Sequence, residues 1–155
     1  MKKILSIDFS TSNCGYSFKE NEKYYYGSIE GKGKTAWERT EWIAHNLIDL
    51  IDTYDLKGCH MIVEEPIIGR NQKGSITLAN CNGLFIGLVR EHISSFEFIS
   101  NTKWCSFNLI KGKRLERKRE SMELLINHLL KDVDEFEVCS DEADAYCQLL
   151  YKEAQ

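Results

Sequence analysis

The sequence predicts an α/β fold, with a five-stranded mixed sheet flanked by helices on both faces. Three observations predict it. Three short runs rich in β-branched and aromatic residues open the chain, and helical apolar stripes then alternate with two further such runs. No internal repeat, Gly/Ser linker or low-complexity stretch divides the 155 residues, and the one proline is Pro66. We therefore expect a single domain over residues 1–155.

The first three strands are predicted to form an antiparallel meander. Residues 3–9, KILSIDF, have the apolar character of a largely buried strand. Residues 14–19 and 23–29 have the residue types of two further strands, and the polar turn 20–22 joins them. Short turns join antiparallel neighbours, so these strands should lie side by side.

A helix is predicted next, over residues 35–54. Its apolar side recurs at three- and four-residue spacing and consists of Trp37, Thr40, Ala44, Leu47, Ile48 and Ile51. That stripe should pack on one face of the sheet. A short buried strand over residues 60–65 follows and ends at Pro66, after which residues 69–74 form a polar loop.

The remaining elements are a helix, a strand and two helices, predicted over residues 75–93, 96–100, 114–130 and 141–153. Gly83 and Gly87 lie one turn apart on the first of these helices, where we expect them to allow close approach to the sheet. Ser140 is expected to cap the last helix. The resulting order, β-β-β-α-β-α-β-α-α, is typical of a mixed sheet with helices on both faces.

Composition excludes several classes of protein. Hydrophobic residues make up 43% and charged residues 28% of the chain, as in soluble globular proteins. No apolar run reaches the roughly 18 to 20 residues that cross a bilayer, and Asp8 interrupts the first apolar stretch. We therefore expect no membrane partner and a cytoplasmic location. The six cysteines contain no C-x-x-C pair and are expected to be reduced thiols.

Acidic residues follow apolar segments at three places in the chain. Asp8 follows ILSI, and Glu64 and Glu65 follow MIV. A carboxylate in an apolar strand is costly to bury unless it is paired or binds a metal. Neighbouring strand residues point to opposite faces, so Glu64 and Glu65 should not both face Asp8. The last helix adds Asp141 and Asp144, which their spacing places on one helix face.

These acids predict a metal site. Ligands of α/β sheets bind beyond the carboxyl ends of the strands, where acids distant in sequence can converge. Four carboxylates in one cleft require cations, and oxygen ligands favour Mg²⁺, for which Mn²⁺ can substitute in an assay. Two ions about 3.5 to 4 Å apart can activate a water and stabilise the leaving oxygen in an in-line displacement at a phosphodiester.

Basic residues are concentrated in one segment. Residues 111–119 hold six basic residues and one acid, whereas residues 132–144 hold seven acids and no base. The net charge of −4 is unlike most nucleic-acid-binding domains, but a basic segment beside an acidic site indicates contacts to phosphates. The candidate DNA-binding residues are Arg70 and Lys73 in the polar loop and Lys113, Arg114, Arg117 and Lys118. Trp104 is the candidate base-stacking aromatic, in a predicted loop.

Three motifs resemble those of RuvC-type Holliday junction resolvases, which belong to the ribonuclease H-like superfold. They are ILSIDFSTSNCGYSF at residues 4–18, IVEEP at 62–66 and SDEADAY at 140–146, in the family's order. The resemblance implies a ribonuclease H-like fold. It also implies that the metal ligands and catalytic acids, binding two ions per site, are Asp8, Glu64, Asp141 and Asp144. Lys103 and a catalytic Lys118 correspond to family lysines near the scissile strand.

The resemblance implies a structure-selective DNA endonuclease. Such an enzyme resolves four-way junctions by paired, metal-dependent nicks that leave 5′-phosphate and 3′-hydroxyl ends, acts as a homodimer and takes no small-molecule substrate. The chain departs from cellular members, because Phe9-Ser10 replaces Pro-Gly and Ile67 replaces an aromatic residue. These departures resemble the bacteriophage branch, which implies activity on other branched DNA, in the cytoplasm of a bacterial host.

Three alternatives remain open at this stage. One is a ribonuclease H-like nuclease that acts on RNA. Another is a non-catalytic module that binds branched DNA, although a pure binder would have no need for all four acids. The actin and sugar-kinase ATPase superfold also has an aspartate at the end of its first strand. Those proteins need two such domains to enclose a nucleotide, and this chain has the length of one.

Overall fold

The computed structural model describes residues 3–67, 69, 71–129 and 138–155. Its five-stranded mixed sheet has the order β3-β2-β1-β4-β5. Antiparallel pairing joins the first three strands, whereas β4 runs parallel to both β1 and β5. The predicted fold class, including the meander, is confirmed. The strands are β1 (Ile4–Phe9), β2 (Asn13–Glu20), β3 (Lys23–Glu30), β4 (Cys59–Glu64) and β5 (Ile93–Ile99).

Helices cover both faces of the sheet. They are α1 (Ala36–Thr53), α2 (Gln72–Val89), α3 (Asn101–Phe107), α4 (Arg114–Leu129) and α5 (Ser140–Glu153). Because side chains alternate along a strand, Leu5 and Ile7 pack against α1 and α2, whereas Asp8 lies on the face that α5 covers. Helices α3 and α4 pack against α5. None of the described helices is long and apolar enough to cross a membrane.

Side-chain caps fix where α1 and α2 begin. At α1 the Thr35 hydroxyl accepts a hydrogen bond from the Glu38 backbone N–H at 3.2 Å, and the Glu38 carboxylate accepts one from the Thr35 N–H at 2.9 Å. Helix α2 begins three residues earlier than predicted, because the Asn71 side chain accepts from the Gly74 N–H at 3.1 Å.

The buried face of α1 differs from the predicted stripe at its start. Trp37 is 46% exposed, so its predicted place in the stripe is wrong. The buried side chains of this helix are Thr40, Ile43, Ala44, Leu47 and Ile51. The remainder of the predicted stripe therefore packs on the sheet as expected.

Two predictions about the later elements are also wrong. Helix α3 forms where a loop was expected, because Trp104 and Cys105 are buried in a core with Ile62. Helix α5 begins at Ser140, so this residue does not cap it. The preceding Cys139 donates its backbone N–H to the Glu142 carboxylate at 2.8 Å, which satisfies one of the free donors at the helix start.

Gly83 and Gly87 of α2 face away from the sheet. A Cβ atom added at Gly83 or Gly87 would meet nothing within 4 Å. Their predicted role in close packing against the sheet is therefore wrong. Both positions lie on the exposed side of α2, together with Ile76, which is 61% exposed.

Candidate active site

The strand register brings two acids together at one edge of the sheet. Strands β1 and β4 are parallel, with Ile7 paired to Val63, so the next residues, Asp8 and Glu64, lie side by side. Both follow buried apolar residues at the carboxyl ends of the central strands. Glu65 comes after the end of β4, is exposed and donates its backbone N–H to the Ile99 carbonyl. It also lines the cleft that contains Asp8, so its predicted orientation away from Asp8 stays a prediction.

Helix α5 brings two more acids because it approaches the sheet very closely. Its first turns carry Asp141 and Asp144. Gly15 of β2 pairs with Asp8, and a Cβ atom added to Gly15 would lie 2.0 Å from the Asp141 carbonyl oxygen. Only a glycine leaves room for the helix backbone at this position. The four predicted acids therefore line one cleft.

Asp141 is held by three donors. Asn13 Nδ2 donates to Asp141 Oδ2 at 2.8 Å, and Lys118 Nζ donates to Oδ1 at 3.2 Å. Ser140 Oγ donates to Oδ1 at 3.3 Å and accepts from Lys118 Nζ at 2.8 Å. Lys118, predicted as a catalytic residue, thus contacts the acidic cluster directly and balances part of its charge.

Glu64 is held by donors that the sequence did not identify. Trp104 Nε1 donates to Glu64 Oε2 at 3.1 Å, Gln148 Nε2 donates to it at 3.4 Å, and Asn101 Nδ2 donates to Oε1 at 3.3 Å. Arg117 in turn donates to Asn101 Oδ1. The spacing of Gln148, four residues after Asp144 on one helix, was the available sequence signal for this contact.

The structure corrects the prediction for Trp104. This side chain is 1% exposed and lies in the core beneath α3. Its indole N–H is already used by Glu64. It cannot stack on a DNA base from this position, and its role is to orient a carboxylate.

Burial and mutual repulsion raise the pKa of three of the acids. Burial, followed by the charge of Asp144, raises the pKa of Glu64 to about 7. Burial raises the pKa of Asp144 to about 6. Burial, and then the charges of Glu64, Asp144 and Asp141, hold the pKa of Asp8 well above its ordinary value.

The four acids form part of a cleft of about 540 Å³. Three basic side chains from the start of α4, Arg114, Arg117 and Lys118, line the same cleft. Helix periodicity predicted that these residues share a face, and the structure brings them together beside the acids. The result is an acidic cluster with a basic wall, which suits the binding of a phosphate together with a cation.

Three of the other predicted DNA-binding residues do not line this cleft. Lys103 and Lys113 are exposed outside it, and Lys73 lies at a second cavity with Thr11 and Arg39. Lys73, Lys103 and Lys113 therefore lie at the edge of the predicted DNA-contact surface, away from the acids. Arg70 lies outside the described residues.

The acids fit a divalent cation by their chemistry. In the described part of the chain, no three Asp, Glu, His or Cys side chains already converge as metal ligands. Mutual repulsion of carboxylates acts against such convergence. The Asp144 Oδ1 atom is buried without a hydrogen-bond partner among the described residues. An all-oxygen donor set with one unused buried oxygen suits Mg²⁺.

A Gly15→Ala substitution should disrupt the cluster. The added Cβ would displace the start of α5, and overpacking of this kind costs about 1–3 kcal/mol. We expect a lower Tm and a smaller rise in Tm on addition of Mg²⁺. The matched control is Gly27→Ala, where the Cβ would meet the tip of the Tyr16 side chain, which can move. Equal effects of both substitutions in thermal unfolding would contradict this assignment.

The raised pKa values predict how stability depends on pH. An acid whose pKa is higher in the folded state than in the unfolded state stabilises the fold at low pH, where it is protonated. That contribution is complete below the unfolded pKa and is lost as the pH rises through the folded pKa. With values of about 7 for Glu64 and about 6 for Asp144, we expect the Tm of the metal-free protein to fall as the pH rises through these values. Asp8→Asn should reduce this slope, because it removes one of the repelling charges.

Addition of Mg²⁺ should raise the Tm more above these pKa values than below them, since protonated acids bind cations poorly. Thermal unfolding followed by circular dichroism measures both effects. The exposed Asp49→Asn is the control and should leave the slope unchanged. A Tm that does not change with pH, or an equal effect of Mg²⁺ at all pH values, would argue against the coupled cluster.

Two solved structures are similar to this one over nearly its whole length. RuvC from T. thermophilus, in complex with Holliday junction substrate, gives a TM-score of 0.72 at 15% identity and covers 96% of this chain and 91% of that chain. A second Thermus thermophilus RuvC structure gives 0.66 at 12% identity, with coverages of 98% and 95%. At this identity the likeness establishes the fold, which is the ribonuclease H-like fold predicted above.

Comparison with protein-family models identifies the family to which the chain belongs. No curated protein matches the sequence significantly. The model of the family described as Lactococcus phage M3 protein matches residues 1–154. This agrees with the predicted resemblance to the bacteriophage branch. The chain therefore belongs to the Lactococcus phage M3 protein family and has the fold of the RuvC-type resolvases.

Proposed function

We propose that the protein is a metal-dependent, structure-selective DNA endonuclease that resolves four-way junctions. The observation that carries this proposal is the cleft in which four carboxylates from β1, β4 and α5 lie beside the basic wall of α4. The fold supports it, because a protein of the same fold has been solved with a Holliday junction substrate. We extend the proposal to other branched DNA on the basis of the phage family.

Asp8, Glu64, Asp141 and Asp144 would hold two Mg²⁺ ions, with Mn²⁺ as a substitute. When bound, the ions supply an activated water nucleophile and neutralise charge at the phosphodiester. Cleavage at the 3′ oxygen leaves a 5′-phosphate and a 3′-hydroxyl. The donor set supports this assignment, since all its ligands are oxygens and Asp144 Oδ1 has no hydrogen-bond partner in the described part of the chain.

The residues around the acids have distinct roles in the proposed mechanism. Lys118, whose Nζ lies 3.2 Å from Asp141 Oδ1, would neutralise charge that develops on the phosphate. Trp104, Asn101 and Gln148 hold Glu64 in one orientation. Such support limits the movement of a ligand and is the usual function of hydrogen bonds around metal-binding side chains.

DNA binding is assigned to the basic wall and the exposed basic residues around it. Arg114, Arg117 and Lys118 line the cleft and would contact the phosphates nearest the cut. Lys73, Lys103 and Lys113, which lie farther from the acids, would contact the arms of the junction, and we propose the same role for Arg70. Local positive charge of this kind supports binding although the net charge of the chain is −4.

A homodimer is proposed because a four-way junction requires two cuts. A dimer with a two-fold axis presents two equivalent sites to a substrate of nearly the same symmetry. The surface that supports it is the exposed side of α2, where Ile76, Gly83 and Gly87 have no covering element in the described chain. Phe98 of β5 lies on the same side of the sheet and is 46% exposed. These exposed residues are available for contact with a second copy of the chain.

Asp8→Asn should abolish cleavage. The substitution removes a central ligand charge at nearly constant size, and we expect the rate to fall at least about 100-fold. The assay uses a strand-labelled synthetic four-way junction with Mg²⁺ or with a chelator. Wild type should make symmetric paired nicks that require the metal, and the control Asp49→Asn should cut as wild type does.

Other results of this assay would redirect the proposal. Tight binding of the junction without cutting, with every divalent ion tried, would indicate a binding module. Cutting of linear RNA in preference to junctions would retain the metal site and change the substrate. Cleavage that persists in Asp8→Asn would contradict the assignment of the acids.

Gly83→Glu should separate the dimer into monomers. The Cβ of this residue has open space, so the substitution should leave the monomer folded and add a charge to the contact. Sedimentation should give about twice the 18.0 kDa chain mass for wild type and the single chain mass for the variant. Asn127→Glu, on the exposed surface of α4, is the control. A wild type that is monomeric both free and on DNA would rule out the dimer.

A further inference from the structure

A second cavity lies beside the acidic cleft and differs from it in charge. Its volume is about 400 Å³, and residues near the start of α1, residues near the start of α2 and Thr11 line it. The charged residues that line it in the described part of the chain are Arg39 and Lys73, and both are basic. None of the four acids of the cleft reaches it. A cavity whose charges are all positive favours an anion.

The second cavity adjoins the cleft, so that one molecule can occupy both. Three residues near the start of α2 line both spaces, namely Asn71, Gly74 and Leu78. The turn that follows β1 also joins them, because Ser10 lines the cleft and Thr11 lines the second cavity. Thr11 comes three residues after Asp8, and three residues of chain span at most about 11 Å. The second cavity is therefore close to the acids.

Hydrogen bonds to carbonyl oxygens fix the position of the Arg39 guanidinium. Its Nε donates to the Thr11 carbonyl at 2.9 Å, and its Nη1 donates to the carbonyls of Gly33 and Lys34 at 3.4 Å each. Its Nη2 has no hydrogen-bond partner among the described residues and is not buried. The side chain is thus a cation in a fixed place, with a donor left for a ligand.

The charges of the second cavity are not used by carboxylates of the described chain. Glu38, the neighbour of Arg39, accepts hydrogen bonds from the backbone N–H groups of Lys34 and Thr35 at 2.6 and 2.9 Å and forms no ion pair with the guanidinium. Lys73 is exposed at the start of α2. Both cations are therefore available to an anion from outside the chain.

We propose that the second cavity binds a backbone phosphate of the DNA strand that is cut, with Arg39 and Lys73 as its cations. This inference rests on the proposed nuclease function, which supplies the strand that occupies the cleft. A strand advances about 3.4 Å per nucleotide along a duplex, so a span of about 11 Å places this phosphate within about three nucleotides of the cut. The site would hold the strand in register beside the acids.

The test uses four-way junctions in which one phosphate at a time, near the cut, is replaced by a neutral methylphosphonate. Binding is measured by fluorescence anisotropy in the presence of a chelator, so that cutting does not interfere. For wild type we expect a neutral group at one position within about three nucleotides of the cut to weaken binding about fivefold. Lys73→Gln should weaken binding of the unmodified junction by a similar factor and show little further loss at that position.

Two variants of Arg39 separate its charge from its support of the loop. Arg39→Gln and Arg39→Lys both change the hydrogen bonds to the carbonyls, but only the lysine retains the charge. We expect Arg39→Lys to keep most of the affinity and the response to the neutral group, whereas Arg39→Gln loses both. Equal losses in the two variants would mean that Arg39 only supports the loop and would overturn its assignment as a phosphate ligand.

Lys57→Gln is the matched control. Lys57 is exposed and precedes β4, at the opposite end of this strand from Glu64. Its replacement removes the same charge and should leave the dissociation constant and its salt dependence unchanged. Lys73→Gln should instead lower the slope of the logarithm of affinity against the logarithm of salt concentration by about 0.9, as expected for one lost phosphate contact.

The binding results separate this inference from the proposed function. Wild-type binding that no neutral group within about three nucleotides of the cut weakens would overturn the second site and leave the nuclease intact. A response that Lys73→Gln retains in full would do the same. A junction that is bound as expected and is not cut with Mg²⁺ or Mn²⁺ would overturn the nuclease and leave the second site. Failure of wild type to bind any junction would overturn both.

Discussion

The repulsion among four carboxylates that share one cleft is the constraint to which the rest of the structure responds. Asp8 and Glu64 are fixed by the parallel register of the central strands, and α5 adds two more acids at the same edge. Lys118 supplies positive charge that opposes the charge of the acids. Neutral donors such as Asn13 and Trp104 orient the carboxylates. Gly15 allows the helix close enough for all four to share one cleft.

The acids could be predicted because each belongs to a local sequence pattern. A carboxylate at the end of an apolar strand, or two at a spacing of three on a helix, is visible without knowledge of the fold. The residues that hydrogen-bond to the acids belong to no such local pattern. Trp104 and Asn101 reach Glu64 only because α3 packs under β4, and a contact between elements 37 or 40 residues apart is decided by tertiary packing.

The same distinction explains which basic residues reach the cleft. Arg114, Arg117 and Lys118 share a helix face by periodicity alone, so their grouping was predictable. Whether that face would point to the acids or to solvent depends on how α4 packs against α5. Lys73 and Lys103 begin other helices, whose directions place both side chains outside the cleft. The positions of Gly83 and Gly87 in the sequence likewise did not indicate which side of α2 would be exposed to solvent.

The position of α5 in the chain has a consequence for the order of synthesis. This helix follows every other described element, yet it covers one face of the central strands and carries two of the four acids. A nascent chain that ends before residue 140 holds Asp8 and Glu64 without their partners. The proposed cutting activity therefore cannot arise until α5 has been synthesised and has packed against the sheet.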